Sequence, residues 1–341
     1  MKTIKNIILV LVAQLLLNNN SVGQLQQFSQ YYSSPMVLAP SFTGLIEGSR
    51  IVVNYRDQWP GIPGTFITYG MGYDQYFPRW HSGFGLLALR DQAGSGNLAL
   101  TEIALLYSFN FKLDNNLHIR PGINFSYNQR SVDFTKLIFG DQIVDQNGAF
   151  SVLPNTTEVL PSNQIRYPNV ASSILLYSGG TWGGITWDNM LHPNQSFLGG
   201  DASLPYKWSF FFGKRWDFNS ARVKFTEESI TATFLYRKMD VYDQMDIGVY
   251  WTNTPIVLGL YLRGMPYMMQ AVNGYDNLDA VIVLVGYKME NLSIGYTYDV
   301  TISKLINSSH GSHEISLIYE FNADMSIHVN RSREAIPCPR F

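Results

Sequence analysis

The feature that most constrains this chain is a period-two alternation of apolar and polar residues, sustained over long stretches and repeated between short polar turns. From Leu117 to Tyr127 the odd positions are Leu117, Ile119, Pro121, Ile123, Phe125 and Tyr127; the even ones are His118, Arg120, Gly122, Asn124 and Ser126. Glu102 to Lys112 repeats the pattern with Ile103, Leu105, Tyr107, Phe109 and Phe111 on one side. Leu292 to Asp299 sets Leu292, Ile294, Tyr296 and Tyr298 against Ser293, Gly295, Thr297 and Asp299, and Glu314 to Phe321 does the same. Successive side chains of a strand point to opposite faces, so each stretch reads as a strand with one apolar and one polar face. About fourteen such strands are expected, near 49–57, 65–75, 82–91, 99–112, 117–131, 167–177, 181–189, 206–216, 223–237, 245–253, 256–264, 279–288, 292–300 and 313–322, with a further short one at 324–330. They are longer than the five or six residues usual in globular proteins and match the roughly 9–11 needed to cross a bilayer at a tilt.

The expected fold is therefore all-β: a transmembrane antiparallel barrel occupying 49–330. Composition supports it. Charged residues are 15% of the chain and aromatic residues 14%, while mean hydropathy is only -0.04. Few charges with middling hydropathy suit strands that face lipid on one side and a polar lumen on the other. A helical membrane protein would need apolar runs of about 20 residues. The competing reading, a soluble Tyr-rich sandwich or propeller, accounts less well for the long strands. Aromatics near strand ends, such as Tyr73, Tyr76, Phe77 and Trp80 or Tyr206, Trp208 and Trp216, read as interfacial girdles.

Asp114-Asn115-Asn116 and Lys288 to Asn291 read as short turns. Asp133–Arg166 and Asp188–Pro205 read as long extracellular loops. At the start, Lys2 and Lys5 precede an apolar run from Ile7 to Leu17, and Ser21-Val22-Gly23 supplies small residues before Gln24. That is the grammar of a cleaved secretory signal, expected over 1–23. Residues 24–48 are polar and aromatic without strand regularity, and are expected to plug the lumen or cap its periplasmic mouth. Residues 331–341 form a C-terminal tail.

The net charge of -2 and the lack of basic clusters argue against a nucleic-acid partner. Cys338 is the single cysteine, so neither an internal disulfide nor a cysteine-based zinc site can form. It is open to pairing with another chain or to burial as a small residue. No phosphate loop and no metal-ligand spacing is present, so no cofactor is expected. Ser312, His313 and Glu314 adjoin, but a triad needs convergence in space, and on a strand His313 faces away from the other two. No catalytic role is expected. If Arg56 faces the lumen, its partners would be Asp91, Asp299 or Glu314. Arg120, Arg130, Arg237, Lys238, Asp299 and Glu320 would line the interior.

Four stretches then become recognisable: Gln27-Phe28-Ser29-Gln30-Tyr31 with Pro35 and Ala39 to Gly44; Tyr55 to Ile62; Tyr296 to Asp299 with Ser303, Leu305 and Gly311 to Ile315; and Cys338-Pro339-Arg340-Phe341. In this order and spacing the chain resembles the PorP/SprF family of type IX secretion outer-membrane proteins from Bacteroidota. The resemblance implies residence in the cell outer membrane, in contact with its lipid, and a non-enzymatic part in protein secretion. It also implies work with the secretion machinery and periplasmic lipoproteins, export and surface attachment of adhesins bearing a type B C-terminal domain, and gliding motility in species that glide. Candidate partner-binding residues are Phe28, Gln30, Tyr31, Arg56, Gln58, Trp59, Asp299, His313 and Glu314. The alternative function is a transport channel for small or hydrophobic solutes.

Overall fold

The computed structural model describes residues 27–46, 48–114, 116–146, 149–152, 156, 162–218, 228–240, 242–264, 278–302 and 309–321. The signal segment, the strand expected at 324–330, the tail with Cys338, and Ser303 and Leu305 lie outside the described residues. Seventeen strands are numbered in chain order: β1 (Ser49–Gln58), β2 (Thr65–Phe77), β3 (Ser82–Gly94), β4 (Leu98–Phe109), β5 (Phe111–Lys112), β6 (His118–Ser131), β7 (Ile143–Gln146), β8 (Ala149–Val152), β9 (Gln164–Ser178), β10 (Thr181–Asp188), β11 (Lys207–Asp217), β12 (Glu228–Met239), β13 (Tyr242–Asn253), β14 (Ile256–Gly264), β15 (Leu278–Lys288), β16 (Leu292–Thr301) and β17 (Ser312–Phe321).

Neighbouring strands pair antiparallel around the sheet, β4 pairs with β6, and β1 pairs with β17, so the sheet closes on itself. β5 only extends β4 along β6. The result is a closed 14-stranded antiparallel barrel, with β7 and β8 forming a separate hairpin. Closure satisfies every strand edge, which the hydrocarbon of a bilayer demands.

All fourteen expected strands are present, most within three residues of the expected ends. The expected loop over 133–166 is shorter, because β9 begins at Gln164, and it carries 3-10 turns at Phe134–Lys136 and Gly140–Gln142 as well as the β7–β8 hairpin. Both long connections, 132–163 and 189–206, leave the same end of the barrel, here called the loop end. At the other end, the turn end, most chain reversals are short, as at 78–81, 179–180 and 289–291, and the connection 218–227 is longer.

The wall is inside out by the standards of a soluble protein. In β17, Ser312, Glu314, Ser316 and Ile318 are buried while Ile315, Leu317 and Tyr319 are exposed. Ile103 and Leu105 of β4 leave 61% and 60% of their surface uncovered, yet Arg56, Arg263, Asp299 and Glu314 are almost wholly buried. Water would penalise that arrangement, whereas a bilayer rewards it. Among the described residues no helix is long and apolar enough to cross a membrane; the crossing is made by strands.

Aromatics gather on the outer face near both ends. Phe77, Trp80, Phe84 and Tyr107 pack together near the turn end, and Trp187, Tyr206 and Trp208 near the loop end. Two sequence-based expectations need correction. Tyr76 turns inward, beneath the Arg120 guanidinium, because it shares the parity of buried Asp74 and Thr68. Lys238 lies between inward-facing Arg237 and Met239, so it points outward at the loop-end rim, where its ammonium reaches water.

Candidate functional site

Residues 28–46 run through the barrel interior against the inward faces of the strands. They contain one helical turn, α1 (Pro35–Leu38), and a 3-10 turn at Pro40–Phe42. Proline at the first position of each turn fixes φ where no hydrogen-bond donor is needed. Most of these residues are fully buried, and three sets of contacts hold them.

The first set lies in the loop-end half. The Ser29 and Gln30 backbone N–H groups donate to the two carboxylate oxygens of Glu314, at 2.7 and 3.0 Å. Arg56 donates to the same carboxylate at 3.2 Å and to Asp299 at 3.0 Å. Arg263 bridges Asp246 and Asp299, each at 3.1 Å. The Ser29 hydroxyl sits between them: it donates to Asp299 and accepts from Arg56 and from Arg263, the latter at 2.9 Å. Arg237 joins Gln27 at 2.7 Å and Asp246 at 3.5 Å. Three guanidinium groups therefore face three carboxylates. That balance matters, because a buried charge is tolerated only when paired and hydrogen-bonded.

Register explains how residues so distant in sequence meet. Arg56 lies directly across from Glu314 in the β1–β17 pair, and Asp299 across from Ser312 in the β16–β17 pair. The even-numbered residues of β1 and β17 and the odd-numbered residues of β16 point inward, so Arg56, Asp299 and Glu314 share one patch of wall. Of the partners expected for Arg56, Asp299 and Glu314 are found; Asp91 instead accepts from Thr68 at 2.6 Å.

The second set is uncharged. Tyr31 donates to the Thr233 hydroxyl at 2.7 Å, Tyr32 stacks on Tyr261 with ring centres 5.5 Å apart, and Phe42 packs on Phe211. Gln30 donates to Thr297 and accepts from Ser316. The third set lies toward the turn end. The Gly44 N–H donates to Asp74 at 2.6 Å, and Asp74 is gripped by Arg50 through two bonds of 2.9 Å. Arg120 donates to the carbonyls of Thr43 and Gly44, and Ser108 donates to Thr43 at 2.7 Å.

Two wall glycines mark where the segment's backbone comes closest. A Cβ at Gly122 would lie 2.3 Å from the Ser41 nitrogen, and one at Gly83 would lie 2.3 Å from the Thr43 oxygen. Glycine in a strand is otherwise unfavourable, and here it makes room for a second backbone.

The nine residues singled out from sequence divide by position. Phe28, Gln30, Tyr31, Arg56, Asp299 and Glu314 are buried in the lumen and touch the chain's own wall and segment. Gln58 and Trp59 are half-buried at the loop-end rim, where the Trp59 N–H donates to Gly311 at 2.9 Å. His313 is on the outer face, 2.8 Å from the Tyr296 hydroxyl. Ser312 and His313 thus stand on opposite sides of the wall. Sequence reasoning missed Arg263, Asp246, Asp74, Arg50 and Ser29 as members of the anchors. The signal was available in parity: an Arg or Asp on the polar face of a strand must find a countercharge inside.

A closed barrel with lipid-facing aliphatic residues, aromatic bands and a polar, ion-paired interior defines an outer-membrane β-barrel protein. The sequence match is more specific: the family model for the type IX secretion system membrane protein PorP/SprF covers residues 20–319. The chain belongs to that family and is a membrane component of the type IX secretion system in the outer membrane. Solved barrels share the general architecture. Acinetobacter baumannii outer membrane protein Omp33 is 6% identical with a TM-score of 0.45, the match covering 82% of this chain and 100% of Omp33. The Ralstonia pickettii toluene transporter TbuX is 10% identical with a TM-score of 0.47, over 84% of this chain and 92% of TbuX. No curated protein matches the sequence.

Proposed function

We propose that this secretion component works by binding, not by conduction or catalysis: it holds machinery proteins and secreted adhesins with type B C-terminal domains for export and surface attachment. The observation that carries this reading is the occupied lumen. Residues 28–46 lie inside the barrel against its wall, on the route a solute would take, and both ends are fastened by buried charges. A barrel whose wall is spent on holding its own segment offers its rims and loops as working surfaces. The loop end, with the connections 132–163 and 189–206, is the cell-exterior side on this reading, since barrels of this class keep short turns in the periplasm and long loops outside. Gln58 and Trp59 then belong to a docking rim, and the buried candidates act through the segment they position.

Deletion of the gene followed by analysis of the secretome and cell surface tests this. Selective loss of one or a few large surface proteins is expected. An unchanged secretome overturns the reading. Purified protein in planar bilayers separates it from the transport alternative, which requires a large, steady open conductance.

A further inference from the structure

Beside the luminal segment, at the loop end, is a hollow of about 120 Å³. Its floor is apolar, made by Phe28 and Val37 of the segment and Met239 of β12. Two cations project into it, Lys207 of β11 and Arg237 of β12. The Ser34 hydroxyl lines the same hollow, is 3% exposed, and has no hydrogen-bond partner.

We propose that this hollow binds a peptide carboxylate next to an apolar side chain, presented by a secreted protein from the loop side. The proposal rests on the secretion reading above and names the chemistry by which a passenger would be held. Three observations converge on that ligand. Lys207 bonds Asp188 at 2.9 Å and Arg237 bonds Gln27 and Asp246 through one nitrogen; an ammonium has three donors and a guanidinium five, so both retain N–H groups for an incoming anion. Asp243 also lines the hollow, where its carboxylate accepts a hydrogen bond from the Tyr236 hydroxyl. Ser34 supplies an unused donor where a second carboxylate oxygen would rest, and an unmade buried hydrogen bond is costly enough to favour an occupant. The floor of Phe28, Val37 and Met239 accepts the apolar side chain.

The test uses the full-length protein in detergent and two probes, N-acetyl-leucine and N-acetyl-leucinamide, which differ in the carboxylate. Titration calorimetry should show the acid binding at least about tenfold more tightly than the amide. Lys207→Gln should weaken the acid by a similar factor, and Met239→Trp, which fills the floor, should abolish binding. If Met239→Trp fails to assemble, Ser34→Val reports on the same pocket. Equal binding of acid and amide, or no binding of either at millimolar concentration, overturns the site. The two readings fail separately. Probe binding with an unchanged secretome on deletion keeps the pocket and removes the secretion role; selective cargo loss without probe binding does the reverse.

Discussion

Arg56 shows how tightly a single residue is written into this barrel. Its guanidinium serves Asp299, Glu314 and Ser29 at once, and it is buried to 2% exposure. Arg56→Ala leaves two carboxylates facing one another with only Arg263 between them. Breaking one partner of a buried pair costs about 3–5 kcal/mol. The folded form, followed by its heat-modifiable migration on gels, should convert at a clearly lower temperature than wild type. Gln58→Ala, two residues along at the half-buried rim, should leave that temperature unchanged. Equal behaviour of the two variants would mean the network carries no net stability. Gly122 permits a complementary test from the wall side. Gly122→Val places a side chain where the Ser41 backbone lies, so residues 40–42 must move while strand pairing is untouched. The barrel should still assemble, and a protease should gain access to the segment that wild type denies it.

At the scale of elements, the barrel and the segment are separable in principle. The ladders that close the ring, β1 on β17 and β4 on β6 among them, use only strand backbone, whereas the segment is held by side chains. Deleting residues 27–46 should therefore leave a closed barrel with an emptied polar interior. In planar bilayers it should conduct steadily where the full chain does not; matching conductance of the two would show that the segment does not close the lumen. This division also explains what was legible in the sequence. The fourteen strands were, because period two over ten residues admits few other structures and a slip of one residue would send every charge into lipid. The partners of Arg56 were narrowed to three, two of them correct, because parity fixes the face. Arg263 and Asp246 face each other across β13 and β14, which parity could have shown; what no periodicity records is the path of the segment, whose Ser29 joins Arg263 to Arg56 and Asp299. Tyr76 and Lys238 were misplaced for a related reason: near a strand end, residue type suggests a girdle or a lumen, but only register assigns the face.

The path of the segment has a consequence for the whole molecule. β1 begins at Ser49 at the turn end, beside Gly44 and Asp74, and the preceding residues climb the lumen until Gln27 meets Arg237, two residues from the loop-end terminus of β12. The chain therefore crosses the barrel lengthwise before its first strand starts, in the opposite sense to that strand. If the loop end faces outward, Gln27 lies toward the cell-surface mouth, not toward the periplasmic one where β1 begins and β17 ends. A short epitope inserted immediately before Gln27 should then be labelled by antibody on intact cells, to the same extent as one placed in the connection 132–163. An epitope in the short turn at 289–291 should be labelled only after the outer membrane is breached. Labelling before Gln27 that also requires breaching would show that the segment enters and leaves by the periplasmic mouth. The docking rim would then have to be built from the loops alone, and the hollow beside Phe28 and Arg237 would lose one of its walls.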